Sequence, residues 1–311
     1  MPVVKSDHMN SPQLGGAVSK IHIVLLALMP ALSIMTYQFG FGTVINILIA
    51  VTTATVSESI ILTLRKRPIK VHLNDLSSVL TAVLLGLALP PLAPWWLVVI
   101  ASLSSIVIAK QLYGNTGVGL FNPAMVGYAV VLLSFPLEMS VWVIPVSVLV
   151  EGINHPNIFE SFSIVFGMSN SVDGITGATP LDAFKQSSGL LVDQIYQTKT
   201  VFSSALLAGV GWEVVNMAFL CGGIFLLQAR IFSWHAPFAM VTTISILAML
   251  FWDGGSSVSA GSPLMHLLSG GTMMGAFFII TDPSTSVKTN NAKLVYGCLL
   301  YTSPSPRDVE E

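Results

Sequence analysis

The sequence predicts an all-α, polytopic membrane protein with about eight or nine spanning helices and one long outer loop. Hydrophobic residues make up 53% of the 311 residues, charged residues only 9%, and the mean hydropathy is +0.78. Average soluble domains carry about 25% charged residues. Residues 21–57 and 76–109 contain no Asp, Glu, Lys or Arg. A spanning helix needs about 20 apolar residues, and these runs are continuously apolar rather than alternating, so helices are expected instead of barrel strands.

Eight hydrophobic segments are the predicted spans. They are residues 21–38, 41–64, 76–92, 95–111, 117–136, 202–228, 236–252 and 264–281. If the helices alternate in direction, ten Lys and Arg residues fall on one side of the membrane, and only Lys185 and Lys199 on the other. The positive-inside rule then predicts a cytoplasmic N-terminal segment, residues 1–20.

This orientation divides the chain into regions with different environments. Residues 21–136 form a five-span N-terminal half, and residues 202–299 form a C-terminal helical half. The connection between them, residues 137–201, is expected on the outer side, which is the periplasm if the protein lies in a bacterial inner membrane. Extramembrane chemistry is therefore expected in this loop.

Several function classes are disfavoured by the sequence. No basic run suggests a nucleic-acid partner. The two cysteines, Cys221 and Cys298, form no CxxC pair, and no two histidines are spaced i, i+4, so no metal site is predicted.

One short motif in the outer loop has two compatible interpretations. Residues 173–182 read Asp-Gly-Ile-Thr-Gly-Ala-Thr-Pro-Leu-Asp. In the structural interpretation Thr179 is a helix N-cap, Pro180 is the first helical residue and Asp182 closes a capping box. In the functional interpretation, small residues let a bulky ligand approach the backbone, and a phosphate at Thr179 would meet free amide groups. The small residues are Gly174, Gly177 and Ala178.

This motif resembles the flavin-attachment sequence Asp-Gly-x-Thr-Gly-Ala-Thr of the RnfD/NqrB family. The resemblance implies an FMN group joined through its phosphate to the Thr179 oxygen by a separate flavin transferase. It implies that the transferase recognises Asp173 and Gly174. It also implies that Thr176, Gly177 and Ala178 complete the cofactor-binding segment, and that a second, non-covalent flavin such as riboflavin lies between the helices.

The resemblance extends over roughly residues 20–300. Residues 110–114, 121–128, 275–278 and 281–283 are similar to other segments of the family, whereas Trp212 departs from the Gly-Ser-x-Gly-Glu-like sequence expected there. The implied function is a membrane subunit of an Rnf-type complex, in which electron transfer between ferredoxin and NAD drives Na⁺ or H⁺ transport. Implied partners are a flavinylated G/C-type subunit and membrane A/E-type subunits. An NqrB-like quinone-reductase subunit and a non-redox secondary transporter remain alternatives.

Four polar residues within or beside the predicted spans are candidates for an ion-linked or flavin-linked role. They are Glu58, Asn122, Glu213 and Asp253. Ionisable groups inside a membrane are costly, and interrupted helices often form transport sites. Structural hydrogen bonding and packing are the competing interpretation of each.

The end of the sequence differs in character from the rest. Family-like sequence through Gly297 is expected to begin a ninth helix, in a family expected to have nine or ten. Residues 300–311 contain Pro304 and Pro306 among serines and charges, which cannot continue a spanning helix. We expect this segment to be a non-native tail.

Overall fold

A computed structural model describes residues 12–113, 121–149, 155–169, 174–187, 190–202, 208–252, 261–282 and 289–302. These residues form a helical membrane protein, as predicted. Three helices are long and apolar enough to cross a bilayer, namely Lys20–Phe39 within the first helix, Gly42–Leu64, and Trp95–Tyr113. Shorter apolar helices pack around them.

The N-terminal half consists of helices that surround a shared core. They are α1 (Pro12–Phe39), α2 (Gly42–Leu64), α3 (Ile69–Leu73), α4 (Ser77–Ala88), α5 (Trp95–Leu103, continuing as a π-helix over Ser104–Tyr113) and α6 (Pro123–Ser134). Helix α2 packs against α4 and α5, and α6 packs against the π-helix. π-Helical turns are rare and often occur at functional sites.

The C-terminal half contains shorter helices. They are α11 (Trp212–Gln228), α12 (His235–Leu250), α13 (Pro263–Leu268), α14 (Thr272–Met274, continuing as a π-helix over Gly275–Ile279) and α15 (Asn290–Thr302). The α15 helix confirms the expected ninth helical segment, and it continues through residues 300–302 of the segment that was expected to be a tail. Residues 303–311 lie outside the described residues. The two halves pack through α1 and α11, where a Cβ on Gly222 would lie 2.4 Å from the Ala27 carbonyl oxygen.

Several predicted spans have different bounds in the structure. The predicted span 76–92 is helical only to Ala88, because prolines follow at positions 90 and 91. In the predicted span 117–136, residues 117–120 lie outside the described residues, and helix α6 begins at Pro123, where the Asn122 side chain accepts hydrogen bonds from two backbone amides. The α4 helix, at 12 residues, is about 18 Å long and cannot cross a 30 Å hydrocarbon core by itself.

The C-terminal spans also differ from prediction. In the predicted span 202–228, residues 203–207 lie outside the described residues, and helix α11 begins at Trp212, directly after Gly211 with its positive φ of +82°. The predicted span 264–281 is broken, because Ser269–Gly270–Gly271 separates α13 from α14. Such half-length helices place backbone ends inside the protein, which is tolerated only where other protein groups shield them.

The outer loop is built from short elements. They are α7 (Pro136–Ser140), β1 (Trp142–Val143), a 3₁₀ turn (Val146–Val148), α8 (Ile158–Val165), β2 (Thr176–Gly177), α9 (Pro180–Lys185), α10 (Val192–Thr198) and a 3₁₀ turn (Thr200–Phe202). Strands β1 and β2 pair antiparallel, with Trp142 opposite Gly177 and Val143 opposite Thr176. The sequence did not predict this strand pair, because two residues are too few for a recognisable alternation.

Candidate functional site

Thr179 is the N-cap of helix α9, as the structural interpretation of the motif predicts. Its backbone is extended (φ −66°, ψ 159°), and Pro180 opens the helix. The Thr179 hydroxyl donates to Asp182 Oδ2 at 2.6 Å and accepts from the Asp182 backbone N–H at 3.3 Å. The hydroxyl is therefore held in one orientation from two sides.

The residues before Thr179 are held by strand pairing. Thr176 and Gly177 pair with β1, and a Cβ on Gly177 would lie 2.9 Å from Ile144 Cγ1. Gly174 has a positive φ of +88°, and Ala178 is exposed. Asp173, the first residue of the motif, lies outside the described residues. A larger side chain at position 177 would push the strand pair apart and displace Thr179.

A cavity of about 290 Å³ opens beside Thr179. It lies between the two helical halves and is mostly apolar. Its lining consists of Met35, Leu87, Ala88, Met125, Tyr128, Trp142, Thr179, Leu181, Trp212, Val215, Phe219, Ser269, Gly270, Gly271, Met274 and Ile279. Its volume is close to the lower end of the range for small-molecule sites, about 300 Å³.

Aromatic rings form one wall of this cavity. The ring centroid of Trp212 lies 5.0 Å from that of Trp142 and 5.0 Å from that of Phe39, with tilted planes. Trp212 is buried and Trp142 is half-buried. Rings at this spacing attract one another and stiffen the wall they form. Trp212, the residue that departs from the family pattern, is thus part of the site.

One polar atom of the lining is left without a partner. Ser269 is fully buried, and its Oγ makes no hydrogen bond to any of the described residues. Burying an unpaired hydroxyl costs free energy, so a buried hydroxyl usually has a partner. The oxygen has almost no accessible surface toward the cavity, so its burial is a cost of packing and gives no contact point for a ligand.

Glu213 stabilises the backbone segment that packs against the motif. Its Oε1 accepts hydrogen bonds from the backbone N–H groups of Ala208 at 2.6 Å and Gly209 at 3.1 Å. Gly209 in turn packs against Pro180, because a Cβ on Gly209 would lie 2.6 Å from Pro180 Cγ. The Glu213 carboxylate therefore fixes the segment on which the residue after Thr179 rests.

Replacing Glu213 with Ala should weaken this support. Two backbone amides would lose a charged acceptor, so we expect the free energy of unfolding to fall by about 2 kcal/mol. Thermal unfolding in detergent and amide exchange at Gly209 would measure the loss. Glu213→Gln is the matched control, because it keeps one acceptor oxygen and should retain most of the stability. Equal stability of the Ala and Gln variants would contradict this role.

Two titratable side chains of the outer loop have shifted pKa values. Burial lowers the pKa of His155 below its ordinary value of 6.5. Burial, and to a smaller degree the negative charge of Glu213, raises the pKa of Tyr196 above its ordinary value of 10.0. Both side chains are therefore neutral near pH 7, and neither adds a charge close to the motif.

Glu58 lies in a separate polar cluster. Its carboxylate is buried and forms an ion pair with Lys110 Nζ at 2.7 Å. Ser78 Oγ and Gln111 Nε2 also donate to it. Lys110 donates further to Ser77 Oγ at 2.7 Å and Ser78 Oγ at 2.5 Å. The cluster joins α2, α4 and the first π-helix, and none of these residues lines the cavity beside Thr179.

Asn122 joins the two halves of the protein. Its side-chain oxygen accepts from the backbone N–H groups of Ala124 and Met125, which caps α6. Its amide nitrogen donates to the Ile279 carbonyl at 3.1 Å and to Asp282 Oδ2 at 3.2 Å. Asn122 thus anchors the broken helices, and Asp253, the remaining candidate, lies outside the described residues.

The fold and the site together define a polytopic helical membrane protein whose loop threonine borders an aromatic-walled cavity between two helical halves. The model of the NQR2, RnfD, RnfE family matches residues 7–301, and the chain belongs to that family.

Curated relatives agree with this assignment. The chain is 42% identical over 296 residues to the D-type subunit of the ion-translocating oxidoreductase complex of Cellvibrio japonicus, a match that covers 94% of this chain and 83% of the relative. It is 44% identical to the protein of the same name from Salmonella paratyphi A, over 89% of this chain and 81% of the relative. It is 46% identical to the protein of the same name from Ectopseudomonas mendocina, over 88% of this chain and 77% of the relative.

Proposed function

We propose that this protein is the D-type membrane subunit of an ion-translocating oxidoreductase complex and carries FMN as a phosphoester on Thr179. The observation that carries the proposal is the position of Thr179 in the lining of the aromatic-walled cavity. The matching relatives are named as the D-type subunit of such a complex, which supports the assignment.

The cavity suits the flavin ring system. An isoalloxazine is flat, largely apolar on its faces and polar along one edge. The Trp142 and Trp212 rings offer apolar contact to the faces of this ring system. When bound, FMN would supply one-electron transfer. The chain itself would hold the ring and exclude water from it.

The proposed location of the Thr179 loop follows from the distribution of Lys and Arg among the loops. The predicted orientation puts the Thr179 loop on the periplasmic side of a bacterial inner membrane. There it would face a flavinylated G/C-type subunit, while membrane A/E-type subunits would pack against the helices. Electrons exchanged between ferredoxin and NAD would be coupled to Na⁺ or H⁺ transport. The Glu58–Lys110 cluster and Asn122 are polar groups of this chain that such a path could use.

Covalent flavin can be measured directly. The protein co-expressed with its flavin transferase should give a fluorescent band on a denaturing gel, because denaturation removes any non-covalent flavin. Thr179→Val should abolish the band, since it removes the oxygen that would form the ester. Thr179→Ser should keep it and serves as the matched control. A dark wild-type band would refute the flavoprotein assignment and favour a non-redox transporter.

A further inference from the structure

We propose that Asp182 is a catalytic base supplied by this chain for its own modification, taking the proton from Thr179 when FMN is attached. This inference rests on the proposed attachment of FMN to Thr179. It assigns to the acceptor protein a part of the chemistry that would otherwise fall wholly to the flavin transferase.

The geometry of the hydroxyl is the first argument. The distance from Thr179 Oγ1 to Asp182 Oδ2 is 2.6 Å, which lies within hydrogen-bond reach for proton abstraction and in the short range typical of a hydroxyl bound to a carboxylate. In an ordinary capping box the acidic side chain reaches the backbone N–H of the N-cap residue. Here the Asp182 carboxylate accepts a hydrogen bond from the Thr179 hydroxyl.

The orientation of the hydroxyl is the second argument. The Thr179 proton points at Asp182, and the Asp182 backbone N–H occupies one lone pair of the same oxygen at 3.3 Å. The second lone pair of the Thr179 oxygen takes part in neither hydrogen bond, so it is the one that can attack a phosphorus atom. Thr179 lies half-buried in the lining of the cavity. The hydroxyl is therefore preorganised as a nucleophile before any transferase binds.

The reaction that this arrangement supports balances without an oxidant or reductant. A phosphoester requires an activated flavin phosphate, and FAD, a flavin nucleotide with a pyrophosphate, would supply one. The Thr179 oxygen forms a bond to the phosphorus on the flavin side, and the pyrophosphate P–O bond breaks. AMP leaves with the electron pair of that bond. The Thr179 proton passes to the Asp182 carboxylate and then to water.

A base is useful because a neutral hydroxyl is a weak nucleophile. General-base assistance commonly contributes about 10²-fold to 10⁴-fold in rate. Once the ester has formed, the Thr179 oxygen has no proton, and its hydrogen bond to Asp182 no longer exists. Asp182 should therefore affect how fast FMN is attached and have little effect on the amount finally retained.

The test is the rate of flavin attachment to the full-length membrane protein. Protein purified from cells that lack the transferase would be mixed with purified transferase and FAD, and covalent fluorescence would be followed over time. We expect Asp182→Asn to lower the maximal rate about 100-fold, with the Michaelis constant for the protein substrate changed less than about threefold. Asp182→Glu, which keeps a carboxylate, should recover part of the rate. Asp193→Asn on α10 of the same loop should behave as wild type.

The outcomes separate the two proposals. A wild-type protein that takes up no flavin would refute both the attachment and the base. If the wild type is labelled and Asp182→Asn attaches flavin within about threefold of the wild-type rate, the role of Asp182 as a base is refuted. The attachment of FMN to Thr179 would then stand. A change confined to the Michaelis constant would also refute it, since that indicates a contact in recognition. An unchanged melting temperature would exclude loss of the helix cap, and recovery by Asp182→Glu gives a second test if Asp182→Asn folds poorly.

Discussion

Lys110→Met should destabilise the protein by about 3 kcal/mol, because it leaves the buried carboxylate of Glu58 without its cation. The Glu58 side chain is 2% exposed, and the Lys110 side chain is 19% exposed. Breaking a buried ion pair by removing one partner costs about 3–5 kcal/mol. We expect the lower end of that range, since Lys110 retains some solvent contact and Ser78 and Gln111 would still donate to the carboxylate.

A double variant distinguishes lost charge pairing from lost packing. Glu58→Gln combined with Lys110→Met removes both charges and keeps similar side-chain volumes, so it should be clearly more stable than Lys110→Met alone. Thermal unfolding of the purified protein in detergent would measure both variants and the wild type. A Lys110→Met protein as stable as wild type would show that the pair contributes nothing to folding.

The cluster also illustrates what the sequence could predict and what it could not. Glu58 was identified as costly inside a predicted span, but its partner could not be predicted, because Lys110 lies far along the chain on another helix. The fourth span was expected to be an ordinary helix, and in the structure Lys110 lies in its π-helical part and contacts Ser78 and Glu58. Pairing between distant helices depends on tertiary packing, which hydropathy does not encode.

For the motif loop, in contrast, the sequence predicted the local structure. Thr179 and Pro180 follow local capping rules, so the start of α9 was predicted correctly from a short stretch of sequence. The Asp182 carboxylate was expected to close a capping box, and in the structure it accepts from the Thr179 hydroxyl. The cavity beside it was not predicted, because its lining comes from both helical halves and from the loops between them. Trp212 was noted only as a departure from the family sequence, and that departure gave no indication that its ring lines a cavity.

Gly271→Trp should abolish electron transfer by the intact complex while FMN remains attached to Thr179. Gly271 lines the cavity, and a Cβ built on it meets nothing within 4 Å. A side chain at this position therefore begins in open space at the lining of the cavity, where an indole would take up room. The site of ester formation, Thr179 with Asp182, would be unchanged. If the cavity holds the isoalloxazine, the indole and the flavin ring compete for the same space.

Gly271→Ala is the matched control, because it adds a Cβ in open space and fills almost none of the cavity. Three measurements on each variant distinguish the outcomes: the fluorescent band on a denaturing gel, quenching of the native flavin by iodide, and donor-to-acceptor turnover of the complex. A displaced flavin ring should become more accessible to iodide in Gly271→Trp than in Gly271→Ala. Equal quenching and equal turnover in the two variants would place the flavin ring outside this cavity. An ester at Thr179 would then fix only where the flavin is tethered.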